Sequence, residues 1–302
     1  MTSPLDPSTG SGPALPKERG AIAPLRILDA GLLFDERAER FATLAKGHPM
    51  EEFLLLLARV ARGQRAALRA VTVAPVELST GAAPPLAFDR PRDPAWRAML
   101  KIVTAEARAP GLPAAAAAAL AGLEDAGEAA LESLADAVLS GEVPPDRVAA
   151  APFVGAALQA WFGALAAHVD PARVKPARVG CPVCGSPPVA GLVQGDDTLR
   201  YLACSLCPTQ WHLPRIHCAS CRANDKISYL GVEELPGVTA EACDRCQGYV
   251  KLFSLAKREG AEPLADDAAT IALDLLVSER GYRRGGVNLL FGIAAGAPDA
   301  EA

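Results

Sequence analysis

The chain has 302 residues, half of them apolar, and carries 30 basic against 35 acidic side chains for a net charge of −5, with a pI near 5.5. That length and apolar content supply a real core and leave room for two domains. The acidic balance gives no basic footprint for nucleic acid, and no apolar run reaches the ~18 residues a membrane-spanning helix needs.

Residues 1–20, MTSPLDPSTGSGPALPKERG, are rich in Pro, Ser and Gly and are expected to form a disordered tail. They show no basic segment followed by an apolar one, so they do not read as a signal peptide, and the chain is expected to be cytoplasmic. Residues 21–172 contain no cysteine and read as an antiparallel helical domain. Leu25–Lys46 is predicted helical, ended by Gly47-His48-Pro49. Met50–Val71 follows, with Phe53, Leu56, Leu57, Val60 and Ala67 at helical spacing. Pro84-Pro85 and Pro91–Pro94 mark a long loop. Further helices are predicted at Ala95–Arg108, Pro113–Ala121, Leu123–Ser140 and Asp146–His168. The alanine run Ala114–Ala119 favours helix by intrinsic propensity alone. Pro171–Pro176 is the expected linker.

All eight cysteines follow that linker, in four C-x-x-C pairs: Cys181/Cys184, Cys204/Cys207, Cys218/Cys221 and Cys243/Cys246. A C-x-x-C turn can aim two thiolates at one ion, and a second turn brought close by a hairpin completes a tetrahedron. Four regular copies are a strong metal signal where one would be weak. The gaps 185–203 and 222–242 are nearly equal, and the gap 208–217 is much shorter, which reads as an internal duplication. Sequential pairing is therefore expected: the first two pairs hold one ion in a ribbon over 178–214, and the last two hold another in a ribbon over 215–260. A cross-braced arrangement, first pair with third and second with fourth, is the alternative. The sequence between the pairs fits hairpins. Val189–Val193 and Thr198–Leu202 flank Gly195-Asp196-Asp197, and Ile227–Val232 and Val238–Ala242 flank Leu235-Pro236-Gly237. Disulfides would need an oxidising compartment, and a redox dithiol would show one such pair on a βαβ pattern. Four-sulfur sites suit zinc or a single iron, and ligand type does not separate them. The positions after each pair differ: Gly185, Pro208, Arg222 and Gln247, the last followed by Gly248. Pro208 has no N–H to donate to a sulfur, so the knuckles are not equivalent.

Gln247–Leu255 is expected to add a strand or turn. Residues 261–292 are expected to hold a C-terminal helix, Glu262–Arg280, and a tail, with 293–302 disordered. Pro263 opens the helix, Asp266 and Asp267 sit in its first turn, and Gly281 closes it. Leu264, Ala268, Ile271 and Leu275 form its apolar stripe. His48, His168, His212 and His217 read as structural or surface residues, since eight cysteines already complete two tetrahedra. Trp211, Tyr201 and Tyr229 read as ribbon packing. No phosphate loop, dinucleotide fingerprint, nucleophile elbow or zinc-protease motif is present, so no catalytic or organic-cofactor residue is assigned.

The run CPVCGSPPVA (181–190), then LRYLACSLC (199–207) and Trp211-His212, resembles the formate dehydrogenase accessory proteins known as FdhE. So do CDRC (243–246) with Tyr249-Val250-Lys251, and EPLADDAATIALDLL (262–276) with Gly281-Tyr282 and Gly286-Val287-Asn288. His48-Pro49-Met50, Phe53-Leu54 and Gln64 match more diffusely. The resemblance implies a non-enzymatic cytoplasmic factor that binds the catalytic subunit of a molybdenum- or tungsten-dependent formate dehydrogenase and supports its maturation. It also implies rubredoxin-like domains holding iron, with ligation carried to Cys181, Cys184, Cys204, Cys207, Cys218, Cys221, Cys243 and Cys246. Arg222 departs from the small residue expected after the third pair. The expected fold class is α+β: an all-helical N-terminal domain, two rubredoxin-like or zinc-ribbon metal-binding domains, and a C-terminal helix. Two other readings remain open from the residues, a rubredoxin-like electron-transfer protein and a zinc-ribbon nucleic-acid binder, and the acidic balance speaks against the latter.

Overall fold

A computed structural model describes residues 22–79, 84–175, 179–195 and 199–291. The expected disordered tails, the end of the Pro171–Pro176 linker and the stretch 196–198 of the first hairpin lie outside those residues. The first element corrects the sequence pattern. Leu25–Ile27 is a strand, β1, and the helix expected from Leu25 begins only at Ala30. A non-local partner overrides helix propensity here: Leu25 pairs with Trp211 and Ile27 with Thr209. Arg26 lies 3.8 Å over the Tyr201 ring, and the Tyr201 hydroxyl donates to the Ala23 carbonyl at 2.8 Å. Asp29 then caps α1 (Ala30–Ala45), accepting the Leu32 N–H at 2.8 Å.

The helical layer continues with α2 (Glu51–Ala70), α3 (Ala95–Ala107), α4 (Ala114–Asp125), α5 (Glu128–Ser140) and α6 (Ala151–Ala166). On α2, Leu56, Leu57, Val60 and Ala67 are buried, while Phe53 is only partly so. Gly63 lets α2 and α3 close up, since a Cβ there would stand 2.9 Å from the Val103 Cα. The α4–α5 boundary falls at Ala126-Gly127, later than predicted. Leu120 and Leu123 are both buried, and their packing carries the helix through Gly122. The helix predicted from Asp146 starts at Ala151, behind a 3₁₀ turn over Pro145–Arg147. α6 is buried almost all round and is the central helix of the layer.

Seven further strands complete one sheet: β2 (Pro188–Gln194), β3 (Leu199–Cys204), β4 (Thr209–His212), β5 (Ile227–Leu230), β6 (Val238–Cys243), β7 (Gly248–Ser254) and β8 (Arg283–Arg284). The order is β1-β4-β3-β2-β7-β6-β5, with β8 also on β7. Each duplicated unit lays its strands down as third, second, first. The two units meet where β2 pairs in parallel with β7, Ala190 opposite Lys251 through Val193 opposite Ser254. Arg200 of β3 is fully buried and ties the units further. It is ion-paired with Glu241 of β6 and donates to the carbonyls of Leu213, Pro214 and His217 in the connecting segment.

The predicted helix Glu262–Arg280 is two helices, α7 (Pro263–Ala269) and α8 (Ile271–Ser278). Thr270 breaks it. Its hydroxyl donates to the Asp266 carbonyl at 2.7 Å, and the Lys251 ammonium takes the Asp267 carbonyl at 2.7 Å, so two acceptors of the helical ladder are bonded from outside it. The predicted stripe is broken too: Leu264 and Ala268 are buried, but Leu275 is 61% exposed. α7 is wholly buried between the helical layer and the sheet, capped by Glu262 and held by ion pairs. Asp266 pairs with Arg40 and Arg258, and Asp267 with Lys251 and Arg284.

Candidate metal centres

Each C-x-x-C lies in a turn at the mouth of a hairpin. Cys181 and Cys184 precede β2, and Cys204 and Cys207 join β3 to β4. Cys218 and Cys221 precede β5, and Cys243 and Cys246 join β6 to β7. The turns are tight enough for backbone N–H groups to point at sulfur. Leu206 and Cys207 donate to the Cys204 Sγ at 3.3 and 3.4 Å, and Ser220 and Cys221 donate to the Cys218 Sγ at 3.4 Å.

The thiols gather sequentially, not in the cross-braced arrangement, into the sets 181/184/204/207 and 218/221/243/246. In the first set Cys181 and Cys207 are 3.6 Å apart, Cys184 and Cys204 3.4 Å, and Cys184 and Cys207 3.5 Å. In the second, Cys218 and Cys246 are 3.7 Å apart and Cys221 and Cys243 3.8 Å. All eight thiols are free. Metal–sulfur arms of about 2.3 Å place the corners of a tetrahedron about 3.8 Å apart, so each set fits one tetrahedral thiophilic ion.

The ionisation of the sulfurs points the same way. Burial opposes a charge in the first set, yet the thiols of Cys184, Cys204 and Cys207 together hold Cys181 well below its ordinary value. Cys204 and Cys207 are pushed well above theirs by burial and by the charge on Cys181. In the second set burial, with Cys221 and Cys218 alongside, pushes Cys246 up to about 12. Four crowded sulfurs ionise together only around a cation.

The two sets have different surroundings. The first is enclosed, with all four cysteines buried. The loop after Pro84 covers it: Leu86 N–H donates to the Val183 carbonyl and Phe88 N–H to the Cys184 carbonyl, both at 2.9 Å. Pro84 and Phe88 lie over Gly185, which has φ +85°. Leu28, just after β1, donates to the Pro208 carbonyl at 2.7 Å. From α6, Gln159 donates to the Ser205 carbonyl, inside the second knuckle, at 2.7 Å. Gln159 in turn accepts from Gln64 at 2.9 Å and Arg37 at 3.1 Å, and Arg37 is ion-paired with Glu262 at 3.0 Å. The second set lies at the surface, with Cys221 and Cys246 exposed. Its neighbours are the sheet and the turn around β8, where Arg283 N–H donates to the Gln247 carbonyl at 2.7 Å and Tyr282 bonds Asp244. Among the described residues, the non-glycine positions of positive φ are Ile216, Arg222, Lys226 and Gln247, all flanking this set. Each left-handed residue other than glycine costs about 1–2 kcal/mol.

No histidine joins either set among the described residues. His48 is a strut: its Nδ1 accepts the Met50 N–H at 3.0 Å and its Nε2 lies 3.0 Å from the Ala269 carbonyl at the end of α7. His212 packs edge-on to Tyr201. Of the Arg37–Gln64–Gln159 network, Gln64 falls among the residues of the resemblance, and Gln159 stands as a lone glutamine in the otherwise apolar run of α6.

Family models match this architecture along its length: "FdhE, N-terminal" over residues 22–178, "FdhE, central domain" over 180–215 and "FdhE, C-terminal domain" over 216–291. The chain belongs to the FdhE family. An FdhE homolog of Pseudomonas aeruginosa is 41% identical over 277 residues, covering 85% of this chain and 89% of the relative. The FdhE protein of an Escherichia coli O127:H6 strain is 34% identical over 281 residues, covering 88% and 90%. The crystal structure of the FdhE protein from Pseudomonas aeruginosa superposes with a TM-score of 0.78 at 38% identity, covering 89% of this chain and 98% of that one. Both cysteine sets therefore lie within segments the FdhE central and C-terminal models match.

Proposed function

We propose that this chain is a non-enzymatic accessory factor that binds the catalytic subunit of a formate dehydrogenase in the cytoplasm and is needed for that enzyme's maturation. Membership of the FdhE family carries the reading. Two pre-arranged four-sulfur sets support it, since their geometry suits structural or electron-carrying metal. We further propose that Cys181, Cys184, Cys204 and Cys207 ligate one ion, and Cys218, Cys221, Cys243 and Cys246 a second, within ribbon units 178–214 and 215–260. A bound ion would neutralise the four thiolates and close each pair of knuckles, and in ribbons this small it supplies much of the folding free energy. Iron of the rubredoxin type is the ion we favour, with zinc the other that the sulfur set accepts. Among the described residues, no helix is long and apolar enough to cross a membrane, which suits a partner met away from the bilayer.

Deletion of the gene tests the function. Formate dehydrogenase activity should fall strongly while its catalytic polypeptide stays detectable, and a tagged copy of this chain should recover that polypeptide from the native host. Normal activity in a deletion strain with no related factor present would refute the assignment. Surface exposure of the second set also favours a second reading, electron transfer through a four-sulfur iron. A red oxidised protein that bleaches on reduction and exchanges electrons with a partner in catalytic turnover would support it over the maturation reading.

A further inference from the structure

The duplication gives two sets of the same ligands on the same hairpins, yet the molecule treats them differently. Around the first, three separate parts of the chain close in: the loop at Leu86 and Phe88, the segment after β1 at Leu28, and Gln159 of α6. Under them, each of its four cysteines is 5% exposed or less. Around the second, Cys218 and Cys243 are buried while Cys221 and Cys246 are at the surface. One exposed cysteine comes from each knuckle, so a ligand from solution meets both turns at once.

The backbone divides the same way. After the first pair of the enclosed set stands Gly185, φ +85°, the residue type that adopts this conformation freely. Its counterpart in the second set is Arg222, at φ +65°, with Gln247 after the last cysteine at φ +55°, and Ile216 and Lys226 at +70° and +57° on either side. Strain of this kind persists where bound structure over-determines it, and it favours opening once that hold is released.

We propose that the second set, Cys218, Cys221, Cys243 and Cys246, is the metal-exchange site of the molecule, while the first is a closed structural site. The exchanged ligand is a thiophilic divalent cation, passed to or from an external chelating or thiolate donor at the Cys221–Cys246 face. The step is a ligand substitution. The bond from the ion to the Cys221 or Cys246 sulfur breaks, a bond from the external donor forms, and the released thiolate takes a proton from water. No electrons move. The inference rests on the reading that both sets hold an ion, and the experiment separates the two.

The full-length chain, loaded with zinc under reducing conditions, is challenged with excess EDTA, and released zinc is followed by a colorimetric dye. Total release of about two equivalents tests occupancy itself. Given that total, we expect two phases of one equivalent each, the fast one at least about tenfold quicker, because the slow one waits on local unfolding of a buried region. A double variant, C221S/C246S, should lose the fast phase and keep the slow one, with its helical circular dichroism intact. Should that variant fail to fold, iodoacetamide on the loaded wild-type chain gives the second measurement: Cys221 and Cys246 should be alkylated during the fast phase and the first set spared. Release of both equivalents at one rate, or a fast phase that survives in the double variant, would overturn the proposal. So would alkylation of the first set before the second.

Discussion

Asp267 holds a charge where water does not reach: it is 1% exposed and sits between Lys251 and Arg284, with Asp274 completing a balanced group of two cations and two anions. Burial alone would raise its pKa, but Arg284 and Lys251 outweigh it and hold the carboxyl below its ordinary value. A carboxylate whose folded pKa is depressed contributes stability that is fully present above the unfolded value of ~3.9 and is lost as pH falls through the lower folded value. Asp267→Asn leaves buried Lys251 and partly buried Arg284 facing one anion. We expect it to destabilise the protein by about 3–5 kcal/mol near neutral pH. The gap from wild type should narrow below about pH 4, as wild type loses the same charge. Urea unfolding of both proteins across that range, read by tryptophan fluorescence, checks the sign. A gap that stays constant into acid would mean the charge is not what Asp267 contributes.

At the scale of elements, α6 is the piece that joins the helical layer to the first knuckle pair, through Gln159 and the Ser205 carbonyl. Replacing Gln159 with leucine keeps the volume roughly constant but leaves that carbonyl and the Arg37 guanidinium short of a partner. The expected loss is about 1–3 kcal/mol, together with faster loss of the ion from the first set and unchanged loss from the second. Chelator release kinetics on the variant would show it, and acceleration of the second set instead would contradict the link. The knuckles were legible in the sequence because a C-x-x-C turn is local, and the strands beside them carry β-formers bounded by turn residues. What was hidden depended on partners far along the chain. β1 is only three residues and exists because Trp211 lies opposite Leu25. The break at Thr270 depends on Lys251 reaching the Asp267 carbonyl. Parallel pairing of β2 with β7 leaves no periodic mark in either strand. Gln159 is a lone glutamine in α6, and nothing local to it marks the Ser205 carbonyl as its target.

On the scale of the whole molecule, the two ribbon units are stacked in the same sense, so the front of one meets the back of the other at the β2–β7 seam. Such an arrangement is heterologous and does not close on itself. It must end, and its two ends are unlike. At one, β1 lies along β4, the counterpart of β7; at the other stands β5, the counterpart of β2. β5 is four residues long with Tyr229 exposed, the kind of short edge that folded proteins tolerate. Those two rims do not repeat the seam. It uses Lys251–Ser254 of β7, and the equivalent residues after the second cysteine pair are His212–Arg215, which run past the end of β4 into Pro214. β1 covers Thr209–Trp211, equivalent to the stretch of β7 where β8 covers Gly248 and Tyr249. The two short strands are thus lids on equivalent edges, and the stacking of units stops at two because the third would find no strand to lie on. A protein beginning at Ala30 should therefore form no open head-to-tail series in sedimentation velocity, and a mean length that rises with concentration would mean that β4 does accept β5 of another copy.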